Sequence, residues 1–171
     1  MPVQYAAIHE AAHAVVAHLL GVAVEKVTIA GDAEASGRVF NNYGDPLEHH
    51  GGEDWALLVR AVTAYAGRIA EKKWSVDVMR IAELQKSAGL EVHLDEYEVW
   101  PEGDYCDFTR AQECLEQVCG SGTIDDLEAR AIAMAELVVD MSWGQIRGVA
   151  DELKERETLS AEQFVECLKP A

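Results

Sequence analysis

The sequence predicts a mainly α-helical single domain (α+β) with one small β-hairpin or strand element near its N-terminus. Three observations carry this. Apolar residues recur at spacings of three and four over most of the chain, as one face of a helix requires. Only one segment, Val24 to Ala30, is β-branched and roughly alternating. Neither an internal repeat nor a low-complexity linker divides the 171 residues, so a single core spanning 1–171 is expected.

The first helix runs from about Pro2 to Leu20. Ile8, Ala12, Val15, Val16 and Leu19 give its spacing, and Gly21 stops it. The strand follows, and Gly31-Asp32 and Gly37 bracket a turn before Arg38-Val39-Phe40, which suggests a short hairpin. A loop rich in Asn, Gly, Pro and His (Asn41 to Gly52) leads to a helix from about Glu53 to Lys73. The stripe there is Trp55, Leu58, Val59, Val62, Ala66, Ile69 and Ala70, with Glu53-Asp54 and Lys72-Lys73 placed to suit the helix dipole. Another helix is expected from Val76 to Ala88, stopped at Gly89, then an irregular acidic excursion from Glu91 to Asp107 and a short helix from Phe108 to Val118. Three more helices have readable starts: Thr123-x-x-Asp126, Ser142-x-x-Gln145 and Ser160-x-x-Gln163 each have the form of a capping box.

Charge narrows the function. Asp and Glu number 31 against 14 Lys and Arg, a formal net charge of −17. Nucleic acid and an anionic membrane surface both demand a basic face, so neither is an expected partner. Apolar residues make up 49%, too many for a disordered acidic tail. No apolar run approaches the roughly 18 residues of a membrane span. No basic region precedes an apolar one at the start, so no secretory signal is read and a cytoplasmic location is expected. Cys106, Cys114, Cys119 and Cys167 form no C-x-x-C pair and suit reduced thiols.

Chemistry concentrates in the first helix, at His9-Glu10-Ala11-Ala12-His13. Residues four apart lie one turn above each other, so His9 and His13 can offer imidazoles to one ion. Two such ligands suit Zn²⁺, leaving the tetrahedron to a third protein ligand and a water. Glu10 lies about 100° round the helix from His9, beside that water, where it can act as general base and return the proton to a leaving amine. The alternative is an accidental match on an ordinary helix. The amphipathic context and the strand that follows, suited to pairing with an extended substrate, favour the zinc reading.

The same residues carry a resemblance. Tyr5 to Ala17 resembles the catalytic helix of the FtsH-like ATP-dependent zinc metallopeptidase family, and Lys26-Val27-Thr28-Ile29 resembles the strand after it. Ala64-Tyr65-Ala66-Gly67-Arg68-Ile69-Ala70-Glu71 is similar to that family's Gly-Arg-x-Ala-Glu helix, and Ile146 to Ser160 to its C-terminal helix and turn. The resemblance spans nearly the whole chain in order and implies a zincin-like helical peptidase domain. It also implies a third zinc ligand: an Asp followed by an apolar residue and soon by Arg-Ala. Asp107, in Asp107-Phe108-Thr109-Arg110-Ala111, matches that pattern. Asp126 is the rival, less favoured because it already closes a capping box with Thr123 and would leave too little chain for the helix pair that follows.

Two departures stand out. Ala12 replaces the Gly usual before the second His, and the stretch between Glu71 and Asp107 is longer than the family's by roughly a helix and a loop. There is also no G-x-x-x-x-G-K-[ST] phosphate loop, so the family's ATPase module is not expected here; a separate ATPase or an oligomer partner would have to supply unfolding. His49-His50 read as a solvated loop, His18 as a helix-surface or satisfied core residue, His93 as unpartnered, Cys106 as a buried thiol, and the acidic residues Glu91 to Asp104 as a solvated face. The expected function is that of a zinc metalloendopeptidase cleaving unfolded or flexible polypeptides through a zinc-bound water activated by Glu10, with the strand near Val27 to Ala30 aligning substrate. The competing readings are a non-catalytic metal-binding or scaffold protein keeping the fold, and a metal hydrolase of small amides.

Overall fold

The computed structural model describes residues 3–30, 37–42, 52–88, 105–119 and 123–169. Among them are six helices, α1 (Val3–Leu19), α2 (Gly52–Ser87), α3 (Tyr105–Cys119), α4 (Ile124–Met141), α5 (Trp143–Arg156) and α6 (Ala161–Cys167). The strands are β1 (Ala23–Thr28), β2 (Arg38–Asn42) and β3 (Thr158–Ser160). The fold is mainly helical with a small antiparallel sheet in the order β2-β1-β3. Among the described residues no helix is long and apolar enough to cross a membrane.

Helix α1 is the centre of the molecule. Every residue from Tyr5 to Ala17 is buried, so this helix has no solvent face. Ala6, Ala7, Ala11, Ala12, Ala14 and Ala17 keep it slim enough for α2, α5 and the sheet to close round it. Ala12 is fully buried, so the methyl at that position is accommodated. Gly21 ends the helix with φ 87°: its N–H donates to His18 C=O (3.0 Å) and Val22 N–H to Ala17 C=O (2.9 Å). That is a Schellman closure, which needs a left-handed residue at Gly21.

Helix α2 corrects the sequence reading, which placed two helices at 53–73 and 76–88. The structure has one unbroken helix of 36 residues. Nothing between Lys73 and Val76 breaks it: Ser75, the weakest helix former there, donates its hydroxyl back to Glu71 C=O (3.1 Å) and stays within the helix. Helix α3 begins three residues earlier than expected, so Asp107 lies in a first helical turn, where the dipole favours a carboxylate. Most of the acidic excursion, 91–104, lies outside the described residues.

Of the three capping boxes, one forms in full. Ser160 Oγ accepts from Gln163 N–H while the Gln163 side chain accepts from Ser160 N–H. Thr123 instead donates to the Asp126 carboxylate (3.0 Å). Ser142, the single residue between α4 and α5, donates back to Val138 C=O (2.7 Å) because φ −106°, ψ 13° leaves it short of extended backbone.

The sheet supplies a second correction. β1 is the central strand: Lys26, Val27 and Thr28 pair with Phe40, Val39 and Arg38 on one side and with Ser160, Leu159 and Thr158 on the other. Lys26 to Thr28 therefore have a strand on both sides and are not open for pairing with substrate; of the rest of the expected aligning segment, Ile29 N–H donates to Glu157 C=O (2.8 Å) and Ala30 N–H to Thr28 Oγ1 (3.1 Å). β3 was not expected as a strand because three residues are too few to show a period. It forms because Glu157 turns the chain at φ 59°, and Leu159 is then fully buried against the core beside Val27. β2 and β3 are the outer strands, each pairing with β1 alone among the described residues.

Candidate metal centre

Helices α1, α2 and α3 build one cluster. His9 and His13, one turn apart on α1, face a line of residues four apart on the antiparallel α2: Thr63, Gly67 and Glu71. His9 Nδ1 donates to Glu71 Oε1 (3.0 Å), and His13 Nδ1 donates to the Thr63 carbonyl (2.7 Å). These two bonds set the tautomer, since carboxylate and carbonyl oxygens can only accept. Each ring therefore turns an Nε2 lone pair to the same point.

Asp107 arrives at that point from α3. Its Oδ2 lies 3.0 Å from His9 Nε2 and 3.1 Å from His13 Nε2, and the two Nε2 atoms are 2.8 Å apart. Among the described residues, His9, His13 and Asp107 are the group of three whose ligand atoms come together in this way. Asp126 does not join them; it is held by Thr123 at the start of α4. The His49-His50 and His93 positions lie outside the described residues, while the His18 ring packs edge-on against Phe164 at 5.6 Å.

Three lone-pair donors facing one another repel unless positive charge sits between them. The protein alone can supply only a proton. Burial by itself would lower the His9 pKa, but the Asp107 and Glu71 carboxylates outweigh it and push it up to about 10. For Asp107, burial would raise the pKa; the two imidazoles dominate and hold the carboxyl well below its usual range. A divalent cation answers the same demand better. Two imidazole nitrogens and one carboxylate oxygen form a zinc donor set, and their mutual separations let all three reach a common point at ~2.0–2.2 Å.

The surroundings fit an ion too. A Cβ added at Gly67 would lie 2.6 Å from His13 Nε2 and 2.7 Å from His9 Cε1, so only glycine allows α2 so near the rings. Arg68 lies 3.8 Å from Glu71 Oε2, and Arg110 lies 3.7 Å from Asp107 Oδ1, each three residues along its own helix. Arg110 therefore leans on the far oxygen of Asp107 and leaves Oδ2 for the cluster, while Ala111 is fully buried beneath it. The Tyr65 ring meets Phe108 edge-on at 6.0 Å and its hydroxyl donates to Glu128 (2.8 Å), fastening the start of α3 to α2 and α4.

Glu10 is buried on α1 beside the cluster, and Gly37, just before β2, presses on it. A Cβ at Gly37 would meet Glu10 Oε1 at 2.7 Å. Sequence reasoning singled out His9, Glu10, His13 and Asp107 but gave no role to Thr63, Glu71 or Gly37. Glu71 stands in the Gly-Arg-x-Ala-Glu segment, and Thr63, Gly67 and Glu71 repeat the four-residue spacing of the histidines beside the apolar stripe, which marks a face of α2 without saying what that face meets. Glu71→Gln is expected to weaken metal binding by roughly 10–100-fold through loss of the His9 anchor, measured by competition with a chromogenic chelator.

No protein-family model and no curated protein matches this chain.

Proposed function

We propose that the chain is an FtsH-like zinc-dependent metalloendopeptidase domain that cleaves unfolded or flexible polypeptides. The observation that carries this is the convergence of His9 Nε2, His13 Nε2 and Asp107 Oδ2 with both Nδ1 atoms tied off, beside a buried Glu10. His9, His13 and Asp107 would hold the zinc. When bound, zinc supplies a Lewis acid that acidifies water and polarises a carbonyl.

The chain's own residues supply the rest. Glu71 and the Thr63 carbonyl orient the imidazoles, so the donor set is arranged before any ion arrives. Glu10 accepts a proton from attacking water onto a carboxylate oxygen and delivers it to the leaving amine nitrogen. Gly37 keeps side chains out from between Glu10 and the backbone entering β2. The outer edge of β2, rather than β1, then aligns an extended peptide through main-chain hydrogen bonds. Such alignment requires an unfolded or looped substrate, because a folded strand already has its hydrogen bonds filled.

Asp107→Ala tests the donor set. Purified wild type is expected to carry one zinc per chain by elemental analysis, Asp126→Ala to keep it, and Asp107→Ala to lose it. Retention by Asp107→Ala with loss in Asp126→Ala would overturn the assignment.

A further inference from the structure

We infer that Arg110 is a positioning residue for the metal: it holds Asp107 Oδ1, so that Asp107 offers Oδ2 alone to the ion; this rests on the zinc reading above. A carboxylate has two equivalent oxygens on a soft terminal torsion, so either oxygen, or both together, can turn to a cation. Nothing within Asp107 decides between them. The choice falls to whatever stands beside the second oxygen.

Helix α3 sets the arrangement by its spacing. Asp107, Ala111 and Leu115 are four apart, and Ala111 and Leu115 are fully buried, so this line is the face that α3 turns to the bundle. Asp107 heads the line with its side chain 20% exposed and Oδ2 at 3.0 and 3.1 Å from the two imidazoles. Arg110, three residues on and 72% exposed, brings Nη1 to 3.7 Å from Oδ1. The guanidinium therefore closes the solvent side of the carboxylate while the rings close its inner side. Glu71 repeats the pattern on α2: Oε1 accepts from His9, and Oε2 lies 3.8 Å from Arg68, three residues earlier on the same helix.

The two pairs are not equivalent. The inner oxygen of Glu71 accepts from an N–H that stays in place when metal binds, so that carboxylate is already anchored. Oδ2 of Asp107 has to exchange its present neighbours for the ion, and the contact with Arg110 is the one that free and loaded sites share. At 3.7 Å it is longer than a hydrogen bond, so charge rather than shape carries it. An ion pair with so exposed a partner adds little to folding; its effect belongs in metal affinity. The sign separates this role from that of a bystander. A bystander cation repels a nearby divalent ion, and its removal tightens binding. Removal of a residue that positions a ligand loosens it.

The test measures Zn²⁺ and Co²⁺ affinity by competition with a chromogenic chelator in wild type, Arg110→Met and Arg110→Lys, with Asp107→Ala as the floor. Arg110→Met is expected to bind roughly 10–100-fold more weakly, as loss of a ligand's outer partner does. Its metal-free form should unfold at the wild-type temperature, and Arg110→Lys, which keeps the charge, should recover most of the affinity. The visible spectrum of the Co²⁺ proteins reads the ligand set separately. A single Asp107 oxygen leaves the ion four-coordinate with intense bands, whereas an Asp107 freed to bind through both oxygens in Arg110→Met raises the coordination number and weakens them. Arg110→Met that binds either metal as tightly as wild type, or more tightly, overturns the inference and leaves the zinc site standing. The same spectrum in both proteins also overturns it. An equal loss of affinity in Arg110→Lys, or a lowered unfolding temperature of metal-free Arg110→Met, makes the residue structural and overturns it too. Wild type that takes up neither metal at one ion per chain sinks the zinc reading, and the inference with it.

Discussion

Glu10→Gln is expected to lower kcat/KM on unfolded polypeptide by roughly 10²–10⁴-fold, the range of a lost general base, while zinc stays at one ion per chain. The substitution is nearly isosteric, and the buried position of Glu10 on α1 leaves the histidines and their Nδ1 bonds as they are. Metal content and catalysis should therefore separate. Zinc analysis, circular dichroism and hydrolysis of a casein-like substrate measure the three quantities on one preparation. Equal hydrolysis by wild type and variant at full zinc occupancy would remove Glu10 from the chemistry. No hydrolysis by zinc-loaded wild type, on proteins or on short peptides, would leave the non-catalytic metal-binding or scaffold alternative. Hydrolysis of short amides alone would point to the small-amide hydrolase.

How much of this was readable in the sequence depends on the range of each interaction. His9, Glu10 and His13 are a local matter: helical spacing alone puts two imidazoles over each other and Glu10 beside them. Helix α1 and its Gly21 stop were readable for the same reason. Asp107 joins across the fold, and no periodicity connects α3 to α1; only the resemblance singled it out. Glu71 and Thr63 are partners of the same long-range kind. The backbone carbonyl of Thr63 also has no signature in residue type, since any residue there carries one. The continuity of α2 was hidden because its outer half buries little: Val78 and Ala82 are buried, while Val76, Met79, Ile81 and Leu84 are exposed. With so weak a stripe, a short polar stretch at Lys72-Lys73 reads as an end. The role of β1 as an inner strand was hidden because β3 comes from the other end of the chain.

Gly67→Ala is expected to abolish stoichiometric zinc binding and to cost stability, a sign opposite to that of the same change at Gly148. Alanine in place of glycine within a helix ordinarily stabilises by about 0.5–1 kcal/mol, because it restricts the unfolded chain. Gly148 within α5 is such a site: an added Cβ meets nothing within 4 Å, so Gly148→Ala should raise the unfolding midpoint. At Gly67 the added methyl would lie 2.6 Å from His13 Nε2 and 2.7 Å from His9 Cε1, well inside van der Waals contact. Neither ring can simply swing away. His13 is fixed by the Thr63 carbonyl, one turn earlier on the same helix, and His9 by Glu71, one turn later. Relief requires either breaking those bonds or pushing α2 off α1, against a fully buried seam that includes Ala66, Ala70, Ala11 and Ala14. Overpacking of this kind costs typically about 1–3 kcal/mol, which outweighs the chain-entropy gain. Thermal unfolding of the two variants in chelator, followed by zinc titration, separates the contributions: Gly148→Ala above wild type with full zinc, Gly67→Ala below it with none. A Gly67→Ala protein that binds zinc as wild type does would mean that α2 stands farther from the histidines than 2.6 Å implies, and the cradle argument for the ion would fall with it.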